Sequence, residues 1–324
     1  MNDREKAEKE LKNTIFSKVH SDFKKCLWYT NDCKNPVIKA HSIQNSKILE
    51  KLAVNGKLIR LAYELNLESG PIPKFEDVGI NKATTFTGLC SYHDELIFRD
   101  IEKKDINVDE PYHLILLAYR ALLREFHSSL SLANHLQDIY EKSNELKLPQ
   151  EWNEELLMML PTMYILQSYL TYRYKHHFDK ILTKSSFDQI SNILISFPQN
   201  KTTIAVNSMF SPIDNFIKKE DKEEPKFIML NVFPLDSQCY ILFSFRTEHK
   251  DIVNEFLSPI LQAKGKHQLY LISKLILQNC ENFVINPEYF DSFSEGKKNA
   301  IIEYFFKNLH GNKIDYDDKE LYLF

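Results

Sequence analysis

Four residues carry the clearest chemistry in this chain: Cys26 and Cys33, with six residues between them, and Cys90 and His93, with two between them. A two-residue gap lets a thiol and an imidazole reach one ion from a turn or a helix start. Zinc is held by four such donors in a tetrahedron, so Cys26, Cys33, Cys90 and His93 compose a closed Cys3His site. The six-residue gap is wider than the usual two to four, and the turn formers Asn31 and Asp32 supply the bend that brings the two thiols together. The alternative is that these cysteines are small buried hydrophobes. Against it, Cys33 and Cys90 sit in polar, turn-rich sequence. A further histidine, His41, lies between the two pairs and is not needed for the tetrahedron.

Ala40-His41-Ser42-Ile43 after a cysteine pair, followed by Leu89-Cys90-x-x-His93-Asp94, resembles the zinc-containing HNH endonucleases. The resemblance covers about residues 20–101. It implies a ββα-metal (treble-clef-like) module in which a structural zinc ties the first cysteine pair to the start of a helix. It also implies that His41, at the end of the first strand, is the general base that activates water. Asp94, directly after the last zinc ligand, takes the place of a catalytic-metal ligand and offers a hard oxygen suited to Mg2+ or Mn2+. The residue before the base is commonly a metal ligand in that family, and here it is Ala40. The family asparagine falls near Thr85, with Asn81 the nearest candidate. A second register makes His41 itself the metal ligand, with Gln44 or Asn45 nearby.

The implied activity is hydrolysis of phosphodiester bonds in nucleic acid, which needs a base for the water and a cation for the phosphate charge. Stand-alone chains of this build imply a bacterial defence or mobile-element role. The alternative from the same residues is a catalytically degenerate, zinc-scaffolded module that binds nucleic acid or protein. Residues 1–60 hold 13 Lys or Arg against 7 Asp or Glu, a local +6 in a chain whose net charge is −4. Lys12, Lys18, Lys24, Lys25, Lys34, Lys39, Lys47, Lys51, Lys57 and Arg60 are candidate phosphate contacts, or else a solvated face.

These residues need elements to position them. Leu11, Ile15, Val19 and Phe23 recur every fourth residue and predict a helix over the first 25 residues. Val37-Ile38-Lys39-Ala40 reads as a short strand. Residues 46–67 read as partly helical with a break at Gly56, and 68–81 as a loop rich in Gly and Pro. A helix is expected just after Cys90, and 102–111 reads as a linker. Long helices are expected over 112–142 and 152–177. Ser186-Phe187-Asp188-Gln189 fits a capping box and predicts a helix to about Phe197. A strand at 203–210 and a hairpin of 226–233 with 239–246 follow, then helices over 250–261 and 268–277. Ser292-Phe293-Ser294-Glu295 fits a second capping box, opening a final helix that ends at Gly311.

The pattern is α+β and mostly helical. It divides into a zinc-binding module over 1–105, a helical region over 106–200 and an α+β region over 201–324, the last two able to pack as one domain and to carry a protein partner. With only 7 glycines and no G-x-G-x-x-G or Walker sequence, a Gly-rich phosphate loop is not expected. No secretory or transit pattern opens the chain, and Leu156–Leu170 is too short to span a bilayer, so a cytoplasmic protein is expected. Five cysteines in 324 residues do not form a disulfide framework. Arg120 and Arg124, one turn apart beside Glu125 and His127, read as structural ion pairs, with a second site as the alternative.

Overall fold

The structure is a computed structural model that describes residues 23–30, 32–66, 70–146, 153–199, 203–213, 225–308 and 314–324. The helix expected over the first 25 residues and the end of the last helix at Gly311 fall almost wholly outside these. The described residues 23–25 are not helical.

The chain is α+β, and both of its sheets are antiparallel. Strand β1 (Ala40–His41) is followed by a wide turn over Asn45–Leu49 and a short helix Glu50–Leu52. Strands β2 (Lys57–Asn66) and β3 (Gly70–Gly79) form a hairpin, and β4 (Thr85–Phe86) leads to helix α1 (Ser91–Lys103). Two long helices follow, α2 (Pro111–Glu141) and α3 (Glu154–Lys184). After them come β5 (Ile190–Pro198), β6 (Ile204–Phe210), β7 (Ile228–Leu235), β8 (Gln238–Arg246), helices α4 (Lys250–Gln262) and α5 (Gly265–Asn279), β9 (Phe283–Ile285), one short helical turn Pro287–Asp291, and α6 (Glu295–Asn308).

Among the described residues β1 pairs only with β4, and the other seven strands make one sheet in the order β3-β2-β9-β6-β7-β8-β5. β9 is the joint: its Ile285 faces Ile59 of β2 on one side and Ile204 of β6 on the other. The sheet is therefore hydrogen-bonded across all three stretches of chain that composition separates.

Both faces of the sheet are covered, and the two-residue strand period divides the core. Met229 and Phe233 of β7, Leu242 of β8 and Val284 of β9 point to the side of α2 and the β1–β4 module. Ile228, Leu230 and Val232, Ile241 and Phe243, and Ile285 point to the side of α4, α5 and α6. This is why β7 and β8 read as nearly continuous apolar runs rather than alternating ones.

Three sequence expectations are corrected. Residues 57–66 are a strand, not helix: Asn55 and Gly56 both take positive φ (50° and 70°) and close a tight turn between Val54 and Lys57 that launches β2. Residues 70–79 are a strand, not a loop. β3 is an edge strand, where Pro71 and Pro73 cost no interior hydrogen bond. Residues 187–189 make one 3-10 turn, and 190–198 pair along their length with β8 instead of forming a helix. Of the strand expected at 37–40, Val37 forms a single bridge to Cys90 and only Ala40 enters β1. The final capping serine is Ser294, whose Oγ accepts from Lys297 N at 3.1 Å. The hairpin, the strand over 204–210, α2, α3, α4 and α5 fall where expected, with α3 running seven residues further, to Lys184.

Candidate metal centre and the residues beside it

The backbone brings the two donor pairs together before any ion is considered. Leu27 N donates to Gly88 O at 2.8 Å, and Ile38 N donates to Leu89 O at 2.9 Å. These bonds hold the loop bearing Cys26 and Cys33 against the turn that enters α1. A Cβ at Gly88 would run into the Phe86 ring, so this close turn needs glycine. Cys90 is the N-cap residue of α1 and His93 lies in its first turn.

The donor atoms of Cys26, Cys33, Cys90 and His93 all lie within 4.8 Å of one another. Cys33 Sγ is 3.8 Å from Cys90 Sγ. His93 Nδ1 is 3.4 Å from both Cys26 Sγ and Cys90 Sγ. Zinc bonds of about 2.3 Å to sulfur and about 2.0 Å to nitrogen give tetrahedral edges of about 3.8 Å and about 3.5 Å. The four residues therefore can hold a metal ion, and their donor set and spacing fit zinc. Trp28 stacks on the His93 ring, with centroids 4.7 Å apart, and closes one side of the cluster.

The electrostatics at the four donors are uneven. Burial pushes the Cys26 thiol up to about 11. At Cys90 burial also pushes upward, but the His93 backbone N–H and contacts with Cys33, Cys26 and Asn35 outweigh it and bring the thiol below its usual value. Such N–H donors favour a thiolate, the form that binds metal.

His41 stands apart from the four. Its Nδ1 donates to Ala83 O at 2.9 Å, which leaves Nε2 as the basic nitrogen. Burial lowers its pKa, with Arg120 adding to the effect and the Ala83 carbonyl and Glu102 opposing it. Burial raises Asp94, which Arg120 lowers and Glu102 raises. His41 and Asp94 thus feel the same two charges. Arg120, buried on α2, pairs with Glu102 of α1 at 2.6 Å and lies over the Phe98 ring at 4.1 Å.

The ion pairs expected for Arg120 and Arg124 are present: Arg124 meets Glu125 at 2.5 Å. Sequence reasoning missed that the Arg120–Glu102 pair adjoins His41 and Asp94. No local motif joins residues 41, 94, 102 and 120, because only the packing of α1 on α2 brings them together.

The other sequence candidates are placed as follows. Thr85 lies opposite His41 in the β1–β4 register, and Asn81 is exposed in the turn after β3. Gln44 donates from Nε2 to Ile101 O at 2.7 Å, while its buried Oε1 and the buried Asn45 Oδ1 have no hydrogen-bond partner among the described residues. Leu49 N bonds to Gln44 O at 3.0 Å, an i to i+5 closure of the kind often found at functional sites. Lys24, Lys25, Lys34, Lys39 and Lys51 are exposed, whereas Lys57 and Arg60 pair with Asp77 and Glu76. Lys12 and Lys18 lie outside the described residues. A polar cleft of about 570 Å3 opens beside β4, lined in part by Lys82, Thr84, Thr85, Arg124 and Glu281.

No protein-family model matches this chain, and comparison with curated proteins and with solved structures returned no match. Among the described residues no helix is long and apolar enough to cross a membrane.

Proposed function

We propose that this chain is an HNH-like, metal-dependent endonuclease whose N-terminal module is organised by a structural zinc on Cys26, Cys33, Cys90 and His93. The observation that carries the reading is an order of elements with its side chains. An antiparallel β1–β4 pair leads into α1, the Cys/His cluster pins the start of α1, and His41 ends β1 with its basic Nε2 free of the Ala83 contact. We read this order as that of a ββα-metal module whose two strands are separated by about forty residues. In this reading His41 takes the proton from water, and Asp94 helps hold a Mg2+ or Mn2+ ion. The polar cleft beside Thr85 and the exposed lysines near the cluster offer a nucleic-acid path. The role proposed with it, from the resemblance alone, is bacterial defence.

A second reading is supported by two observations. Ala40 supplies no metal ligand, and Arg120 is already neutralised by Glu102 beside His41. Those features suit a zinc-scaffolded module that binds nucleic acid or protein without cutting it.

The test pairs elemental analysis with cleavage of plasmid DNA and RNA in Mg2+ or Mn2+. The expected result is one zinc per chain, lost in Cys90→Ala and kept in His41→Ala. Cleavage should fall about 10²- to 10⁴-fold in His41→Ala. Zinc without cleavage selects the scaffold reading. Cleavage that survives His41→Ala removes the catalytic assignment, and wild-type protein without zinc removes the whole proposal.

A further inference from the structure

Helix α3 has a buried seam and a second, largely apolar seam that the described residues leave uncovered. Leu157, Pro161, Ser168, Thr171, Lys175 and Phe178 are buried, facing α2. One residue further round, Met158, Thr162, Ile165, Tyr169, Tyr172 and His176 repeat at alternating spacings of four and three, and all six are exposed. That spacing is the a/d pattern of a helix–helix contact. Met159, Met163 and Leu166 widen the exposed seam. Met158 is 56% exposed, Ile165 52% and Tyr169 56%, values typical of surface lysines rather than of large apolar side chains. A helix apolar on nearly all sides is normally buried on all sides.

Charge along the same face selects the occupant. Glu154 and Glu155 stand at the N-terminal end of the seam, and His176 and Lys180 stand at its C-terminal end, all four exposed. A parallel partner helix of the same kind would set like charges together. An antiparallel copy, centred between Tyr164 and Gln167, sets the acidic end of each helix against the basic end of the other. It also opposes the two helix dipoles. The exposed apolar side chains, at about 200 Å2 each when fully exposed, amount to about 600 Å2, the upper end for a monomer surface. Two such faces together bury on the order of 1,200 Å2, which reaches the range of stable interfaces.

We propose that two copies of this chain associate through an antiparallel α3–α3 contact about a twofold axis near Ile165, a self-complementary pairing of the two α2–α3 hairpins. This proposal does not depend on the nuclease reading.

The experiment is sedimentation velocity of the full chain across micromolar concentrations, with zinc content and far-ultraviolet circular dichroism as checks on folding. Wild type is expected as a dimer. Ile165→Asp acts twice near the axis and should give a folded monomer. Glu155→Lys should weaken the dimer at least about tenfold, and Lys180→Glu in the same chain should restore it. Ile165→Cys should form a disulfide-linked dimer under mild oxidation. A monomeric wild type overturns the proposal, whether the face then binds neutral or anionic lipid vesicles, which would make it a membrane surface, or binds nothing. A dimer that survives Ile165→Asp, or one that Lys180→Glu weakens further, overturns it as well.

Discussion

His41 and Cys90 show how a few ångströms of packing change what a residue can do. The Ala83 carbonyl selects one imidazole tautomer, and burial keeps that imidazole neutral. Its folded pKa lies below the ordinary histidine value of about 6.5. The folded form therefore binds a proton less readily than the unfolded form. The stability this provides is complete above about pH 6.5 and is lost as the pH falls through the lower folded value. Two outcomes follow. If the chain cuts nucleic acid, the acidic limb of its rate profile lies below pH 6.5, and a limb centred above that value would separate His41 from the chemistry. The drop in urea midpoint between about pH 7 and about pH 5 should be smaller in His41→Gln than in wild type, measured by equilibrium unfolding. Cys26, Cys33, Cys90 and His93 were legible from type and spacing alone, because metal donors are rare residues and their spacing limits what they can reach. Glu102 and Arg120 were not legible as neighbours of His41, because their charges matter only through a helix contact that no sequence window spans.

At the scale of elements, the α2–α3 hairpin is organised around a buried polar cluster. Lys175 Nζ lies 2.8 and 2.9 Å from the two carboxylate oxygens of Asp179, and Tyr119 Oη donates to the same carboxylate at 2.6 Å. Burial lowers Lys175, and Asp179 opposes that shift. Removing one partner leaves a charge stranded in the core. Asp179→Ala should cost about 3–5 kcal/mol in chemical denaturation, and Lys175→Met with Asp179→Leu should recover most of that loss. A double variant as unstable as the single one would mean the pair is not the source of the cost. The elements themselves were unevenly legible. Long helices with dense apolar repeats, such as α2, declare themselves. β3 and β5 did not, since Gly70, Pro71 and Pro73 look like a loop and Ser186 to Gln189 looks like a helix cap. Each became a strand because a neighbour's unpaired edge was available, β2 for one and β8 for the other. Strand identity at an edge is a tertiary property more than a local one.

Across the whole molecule, a chain of buried amides ties the His41 region to the large sheet. Asn282, beside β9, donates from Nδ2 to Ser42 Oγ at 2.8 Å and to Asn207 O at 2.7 Å. Asn207 in turn donates to Asn231 at 2.7 Å. Ser42 is the residue after His41, so its placement depends on residues 165 to 240 positions away. Asn282→Ala should cost about 1–3 kcal/mol, because buried partners lose their hydrogen bonds. If the chain is a nuclease, the same variant should lower cleavage while keeping its zinc. Unchanged cleavage at reduced stability would limit Asn282 to holding the fold.

By itself the sequence determined the donor set, the α+β class and the long helices. These follow from residue chemistry and from repeats within one or two turns of chain, whereas His41 as a candidate base came from the resemblance alone. Only the tertiary structure decided that β2 and β3 join the C-terminal strands in one sheet, that Arg120 and Glu102 stand beside His41, and that the described residues leave one seam of α3 uncovered. The physical reason is range. Strand pairing, charge proximity and burial depend on partners a hundred or more residues away, and the local pattern at each site fits more than one such partner.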